Sequence, residues 1–185
     1  MIDEILLDAE ERMEKSINKY REDLTHIRTG KANVSLLNGV TVDYYGSPTP
    51  INQVANVSAP APDLLTIQPW DKGIIKDIEK AILKSDLGLN PNNDGTIIRL
   101  PLPQLTKETR TDLAKQAHKK AEEAKVYIRN IRRDANDSIK KLEKNKEITE
   151  DESKGAQDDV QKQTDAAVAK IEKIYDEKEK DIMSI

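Results

Sequence analysis

LAKQAHKKAEEAKVYIRNIRRDANDSIKKL, residues 113–142, has neither glycine nor proline, and its apolar groups recur in steps of three and four. Leu113, Ala117, Ala121, Ala124, Ile128, Ile131, Ala135, Ile139 and Leu142 form one seam. That spacing is the mark of a long helix buried along a narrow stripe against neighbouring helices. Four of these positions are alanine, which lets helices approach closely and predicts a slim bundle.

Outward from this stretch, both ends carry helix punctuation. Thr106 is a good N-cap and follows Pro101 and Pro103. A break is expected at Asn145–Ile148. Thr149-Glu150-Asp151-Glu152 then fits a capping box, with the hydroxyl at the cap and a carboxylate three residues on. The helix it starts has its seam at Ala156, Val160, Thr164, Ala167, Ile171, Ile174 and Ile182. An N-terminal helix over 2–27 shows the same period at Ile2, Leu6, Ala9, Met13, Ile17, Tyr20, Leu24 and Ile27, with Gly30 as its stop.

Residues 31–105 differ in character and hold all eight prolines. Val40–Gly46 reads as a strand ending in a turn, and Pro48–Ile51, Val54–Ser58, Leu64–Gln68 and Thr96–Leu100 as further strands. Lys72–Leu87 is amphipathic at helical period, and Trp70 is expected to anchor the core of this part. Asp86–Gly95 lacks the order of acidic residues that a calcium loop requires, so it reads as a helix stop followed by a turn. The fold class predicted is α+β. An elongated antiparallel three-helix bundle (1–30 and 106–185) carries a small, β-rich α/β domain (31–105) between its first and second helices. Two crossings, at Gly30-Lys31 and Leu105-Thr106, form a hinge, and domain motion is the default expectation there.

Composition narrows the function. Charged residues make up 35% of the chain and apolar ones 36%, which suits wet-faced helices better than one large core. With no cysteine, disulfides, thiolate chemistry and cysteine-ligated zinc are excluded, and His26 and His118 are too few for a histidine metal site. No apolar run is long enough for a membrane span. The acidic first residues, Met1–Glu14, are unlike a leader, so a cytoplasmic location is expected. No phosphate-binding glycine loop occurs, and neither histidine has a nucleophile at motif spacing. An enzyme, a cofactor and a metal are therefore not expected, and a hydrolase is the weakest of the readings considered.

The net charge of −4 is unevenly spread. Residues 106–145 carry twelve basic and seven acidic side chains, whereas residues 146–185 carry seven and twelve. At about 100° per residue from Ile128, Arg132 lies at roughly 40°, Lys125 at 60°, Arg129 at 100°, Lys140 at 120° and Arg133 at 140°. A basic stripe thus flanks the seam. Periodicity alone also fits a solvated face that balances acidic neighbours. Arginine at its centre suits phosphate, because the guanidinium stays charged and donates in a rigid fork. With one tryptophan and no phenylalanine, stacking on single strands is not expected, and recognition of folded RNA is the better reading. The alternative is a helical protein–protein adaptor or coiled-coil scaffold, which would bind with little salt dependence.

Several stretches together resemble the bacterial ribosome recycling factors along nearly the whole chain. They are Arg28–Asn33, Tyr44-Tyr45-Gly46, Glu79–Ile82, Ser85–Pro91, Asp94-Gly95, Ile98-Arg99, Leu105-Thr106, Arg129–Asn136, Lys140-Lys141-Leu142 and Gln161–Asp165. The resemblance implies a monomeric translation factor that enters the intersubunit space of the post-termination ribosome. With elongation factor G, which binds and hydrolyses the GTP, it would split the ribosome into subunits. It implies that the bundle lies on large-subunit rRNA, with the family arginines at Arg129, Arg132 and Arg133 and further basic positions at Arg28, Lys31 and Arg110. Lys125 and Lys140 join this set from the stripe. The chain departs from the family pattern at Ala61-Pro62-Asp63 and at Thr109.

Overall fold

The computed structural model describes residues 1–29 and 31–184; the predicted hinge residue Gly30 lies outside the described residues. The described residues form four α-helices: α1 (Ile2–Thr25), α2 (Ile75–Lys84), α3 (Lys107–Lys144) and α4 (Glu150–Met183). Six strands lie between α1 and α3: β1 (Thr41–Tyr44), β2 (Ser47–Pro50), β3 (Ala55–Ala61), β4 (Leu64–Pro69), β5 (Asn92–Asn93) and β6 (Ile98–Pro101). The chain divides into two compact units, residues 1–24 with 114–180, and residues 25–113 with 181–185.

The first unit is a bundle of three helices. Cross-links between side chains fix their directions. Arg12 meets Asp134 at 2.8 Å and the Tyr20 hydroxyl donates to the Ala117 carbonyl at 3.2 Å, so α1 and α3 run antiparallel. Gln163 donates to the Leu6 carbonyl and Lys170 pairs with Glu14, so α1 and α4 run parallel. The seam is buried much as its period demands: Met13, Ile17 and Tyr20 of α1, Ala117, Ala121, Ala124, Ile128, Ile131 and Ile139 of α3, and Val160, Ala167 and Ile171 of α4 are all buried. At the start of α3, strict alternation of threes and fours puts Ala114 in the core, and Leu113 is only half-buried. The capping box forms as read. Thr149 N–H donates to Glu152 Oε2 at 2.7 Å and Glu152 N–H returns to Thr149 Oγ1 at 3.2 Å. At a rise of 1.5 Å per residue, the 38 residues of α3 span about 57 Å.

In the second unit all strand pairs are antiparallel. β1 and β2 form a hairpin whose turn places Tyr45 at φ +50° and Gly46 at φ +83°, the doubly left-handed geometry a two-residue hairpin favours. The other sheet has the order β3-β4-β6-β5. Its inward residues Leu65, Ile67, Ile98 and Leu100 are wholly buried in one cluster with Ile75, Ile78 and Ile82 of α2.

Three expectations need correcting. Trp70 is 70% exposed and anchors nothing: Leu65, Ile67 and Pro69 point inward, so strand alternation leaves the next position facing out. The predicted helix over Lys72–Leu87 is shorter, with a 3-10 turn over Lys72–Ile74 capped by Asp71 and an end at Lys84. The first helix stops at Thr25, although Ile27 beyond it is still buried. β5 has no apolar alternation and was not readable.

The Asp86–Gly95 stretch is a helix stop and turn. Gly88 and Gly95 have positive φ, and Asp94 Oδ1 accepts from the Thr96 and Ile97 amides while its Oδ2 pairs with Arg99 at 2.7 Å. Both crossings are tied to the β3–β4 turn by backbone bonds. Ala32 N–H donates to the Pro62 carbonyl at 2.6 Å and Leu102 N–H to the Asp63 carbonyl at 2.7 Å. The departure at Ala61-Pro62-Asp63 therefore sits where carbonyls, not side chains, make these ties.

Candidate nucleic-acid interface

α3 presents the basic stripe because its buried positions leave one flank free. Ile128, Ile131 and Ala135 face the bundle, which leaves Arg132 half-buried beside them and Arg129, Arg133 and Lys140 exposed. The stripe predicted from the sequence is thus brought together on one element, with Arg129, Arg133 and Lys140 open to solvent.

Its ion pairing is selective. Among the described residues, no carboxylate lies within 4.0 Å of the charged nitrogens of Arg129, Arg132, Arg133 or Lys140. Two acids of α3 are held by other cations. Asp134, next in sequence to Arg133, is held by Arg12 across the bundle. Glu122 is held by Lys125, and the hydrogen bond and charge of that lysine keep its carboxyl below the usual range. The stripe therefore keeps its charge in a chain whose acidic side chains outnumber the basic ones, 34 to 30.

The other predicted residues make different contacts. Lys125 has only 13% of its side chain exposed and donates to Glu122 and Glu172, each at 3.2 Å. Burial alone would lower the pKa of its ammonium, but the two carboxylates outweigh it and the net shift is upward. Arg28 donates to the Pro103 carbonyl at 2.8 Å, so it straps one crossing to the other; burial lowers its pKa, and its Nε has no partner. Arg110 donates to the Met183 carbonyl at 3.3 Å, a cation at the C-terminal end of α4 where the helix dipole favours one. At the predicted hinge positions, Lys31 and Thr106 are exposed and Leu105 is half-buried. Thr106 Oγ1 accepts from the Thr109 amide at 3.1 Å and caps α3.

One participant was not read from the sequence. Gln161 of α4 accepts from Arg132 Nη1 at 3.2 Å and donates to Asp165 at 2.8 Å. The spacing of Gln161 and Asp165, one helical turn apart, was visible as a possible pair; its meeting with Arg132, 29 residues away, was not. Val126 and Tyr127 are exposed on α3, Tyr127 on the flank away from the stripe. No helix is long and apolar enough to cross a membrane, and no cluster of metal-ligating residues occurs among the described residues.

Comparison with known proteins agrees along the chain. The family model described as "Ribosome recycling factor" matches residues 20–183. The ribosome-recycling factor of Nitratidesulfovibrio vulgaris (strain DP4) is 59% identical over 184 residues, covering 100% of this chain and 99% of its own. That of Geobacillus sp. (strain WCH70) is 58% identical over 185 residues, with full coverage of both. A solution structure of a ribosome recycling factor superposes with a TM-score of 0.83 at 40% identity, covering 100% of this chain and 98% of the other. A second match, TM-score 0.69 at 43% identity with full coverage of both chains, is from models for the T. thermophilus ribosome recycling factor and the E. coli elongation factor G bound to the E. coli post-termination complex.

Proposed function

The chain belongs to the ribosome recycling factor family, and on that premise we propose that it binds the post-termination ribosome through α3 and, with elongation factor G and GTP, splits it into subunits. Nucleotide chemistry resides in the partner, in keeping with a sequence that has no phosphate-binding loop. The role of the chain is to hold ribosomal RNA and to transmit motion.

The observation that carries this reading is the guanidinium cluster of Arg129, Arg132 and Arg133, with no carboxylate within 4.0 Å among the described residues, and with Lys140 one turn beyond Asn136 on the same flank. Each can neutralise an rRNA phosphate and release its condensed counterions. Lys125 stands apart, because Glu122 and Glu172 would have to release it first. Arg28 and Arg110 contribute charge while each spends a donor on a backbone carbonyl.

Arg132→Ala tests the assignment. Co-sedimentation with large ribosomal subunits should weaken by tenfold or more, on the order of a charge-assisted hydrogen bond, while helix content and melting stay unchanged. Wild-type affinity in that variant would refute it.

A further inference from the structure

Arg132 differs from its neighbours in the stripe because it is held. Its Nη1 donates to Gln161 Oε1 at 3.2 Å, and Gln161 Nε2 donates to Asp165 Oδ1 at 2.8 Å. An ionised carboxylate only accepts, so the Asp165 bond fixes the amide, with its NH2 toward Asp165 and its carbonyl toward Arg132. Neither Arg129 nor Arg133 has a hydrogen bond of this kind among the described residues.

The chemistry of the middle residue decides what such a relay does. A carboxylate at 161 could take the guanidinium in a two-pronged ion pair and cancel its charge. An amide carbonyl instead engages one N–H, and the remaining donors of the fork keep their positive charge. The carboxylate of Asp165 meets the amide, not the arginine, and orients it. A guanidinium restrained before binding loses less freedom when it meets its ligand.

We propose that Gln161, itself oriented by Asp165, is a positioning residue that presents the Arg132 guanidinium to an rRNA phosphate without neutralising it. This rests on the rRNA contact proposed above for Arg132. Gln161 is exposed on α4, so its replacement leaves the bundle core untouched.

The test measures binding of the full chain to purified large ribosomal subunits across a salt series, for five proteins. They are the wild type, Gln161→Ala, Gln161→Glu, Arg132→Ala and the double variant Arg132→Ala/Gln161→Ala. Gln161→Ala should weaken binding about three- to tenfold, the range of one hydrogen bond, with the salt slope unchanged because no charge is lost. Gln161→Glu should weaken it further and flatten the log–log slope by roughly 0.7–0.9, the contribution of one phosphate. In the Arg132→Ala background, Gln161→Ala should add nothing. An equal loss with and without Arg132 would overturn the positioning role, since Gln161 would then act independently. Gln161→Glu binding like the wild type would overturn it too. If Arg132→Ala weakens binding but Gln161→Ala does not, the positioning role alone fails. If Arg132→Ala binds normally, the rRNA contact itself fails.

Discussion

Tyr20 shows what a single residue adds to a seam of alanine and isoleucine. Its ring is buried, and its hydroxyl crosses from α1 to the Ala117 carbonyl on α3 at 3.2 Å. Burial raises its pKa, so the neutral hydroxyl persists as a donor. Tyr20→Phe keeps the ring and removes the bond, which should cost about 0.5–1.5 kcal/mol in denaturant unfolding. An unchanged midpoint would mean that the hydroxyl contributes nothing. The period of α1 made the burial of Tyr20 legible, but its partner, 97 positions away, has no local signature. The same holds for Lys125, which reads as a stripe cation until Glu172 is brought beside it. Asp94 gives a residue-scale pH effect. The amides of Ile97 and Thr96, and then Arg99, lower its carboxyl from 3.8 to about 2. The folded value lies below the unfolded one, so its contribution is full above pH 3.8 and fades as the pH falls toward about 2. Asp94→Asn should therefore lower Tm at neutral pH, and the gap to the wild type should close between pH 4 and about pH 2. A gap that stays constant over that range would assign the effect to something other than ionisation.

The elements were legible in proportion to how local their causes are. The capping box at Thr149 sits within four residues, and it starts α4 where the sequence said it would. Thr149→Ala removes the hydroxyl that accepts from Glu152 N–H, and the loss should be about 1 kcal/mol in thermal or denaturant unfolding. Near-zero loss would show that the Glu152 carboxylate alone satisfies this helix end. The long seams were readable for the same reason, as period is a property of one segment. The strands were harder. Trp70 looks like a core residue by type, but parity within β4 sends it outward, and parity depends on where the strand begins. β5 is two asparagines whose strand character comes from pairing with Arg99 and Ile98 across the sheet. The Lys72–Leu87 period continued past its helix because Ile74 and Leu87 still meet the core from a turn and a loop. For the interface, the arginine stripe was legible as a helical face. Its ion pairing was not, since partners such as Arg12 for Asp134 and Glu172 for Lys125 come from other helices.

For the whole molecule, charge and connectivity set what the chain can do. Four neutralised phosphates would give ribosome binding a log–log salt slope of about −3 to −4, whereas a purely protein-binding scaffold would show little dependence. The chain passes twice between its N-terminal helix and α3, outward near Lys31 and back through Leu105-Thr106. Backbone bonds at Ala32 and Leu102 tie both passes to the same β3–β4 turn, and Arg28 joins the first pass to Pro103 on the second. On the proposed function the two passes would act as a pair of tethers, and two tethers limit rotation more than one. If this pair transmits elongation factor G action to ribosome splitting, their lengths must match. Inserting two glycines between Leu105 and Thr106 would slacken one tether, while the first would be left unchanged. The stripe on α3 and the sheet core remain as they are, so binding to large subunits should keep its affinity and salt slope. Splitting of post-termination ribosomes by the variant with elongation factor G and GTP, read by light scattering, should slow markedly. A variant that splits ribosomes at the wild-type rate would show that the second tether carries no load and that the first suffices.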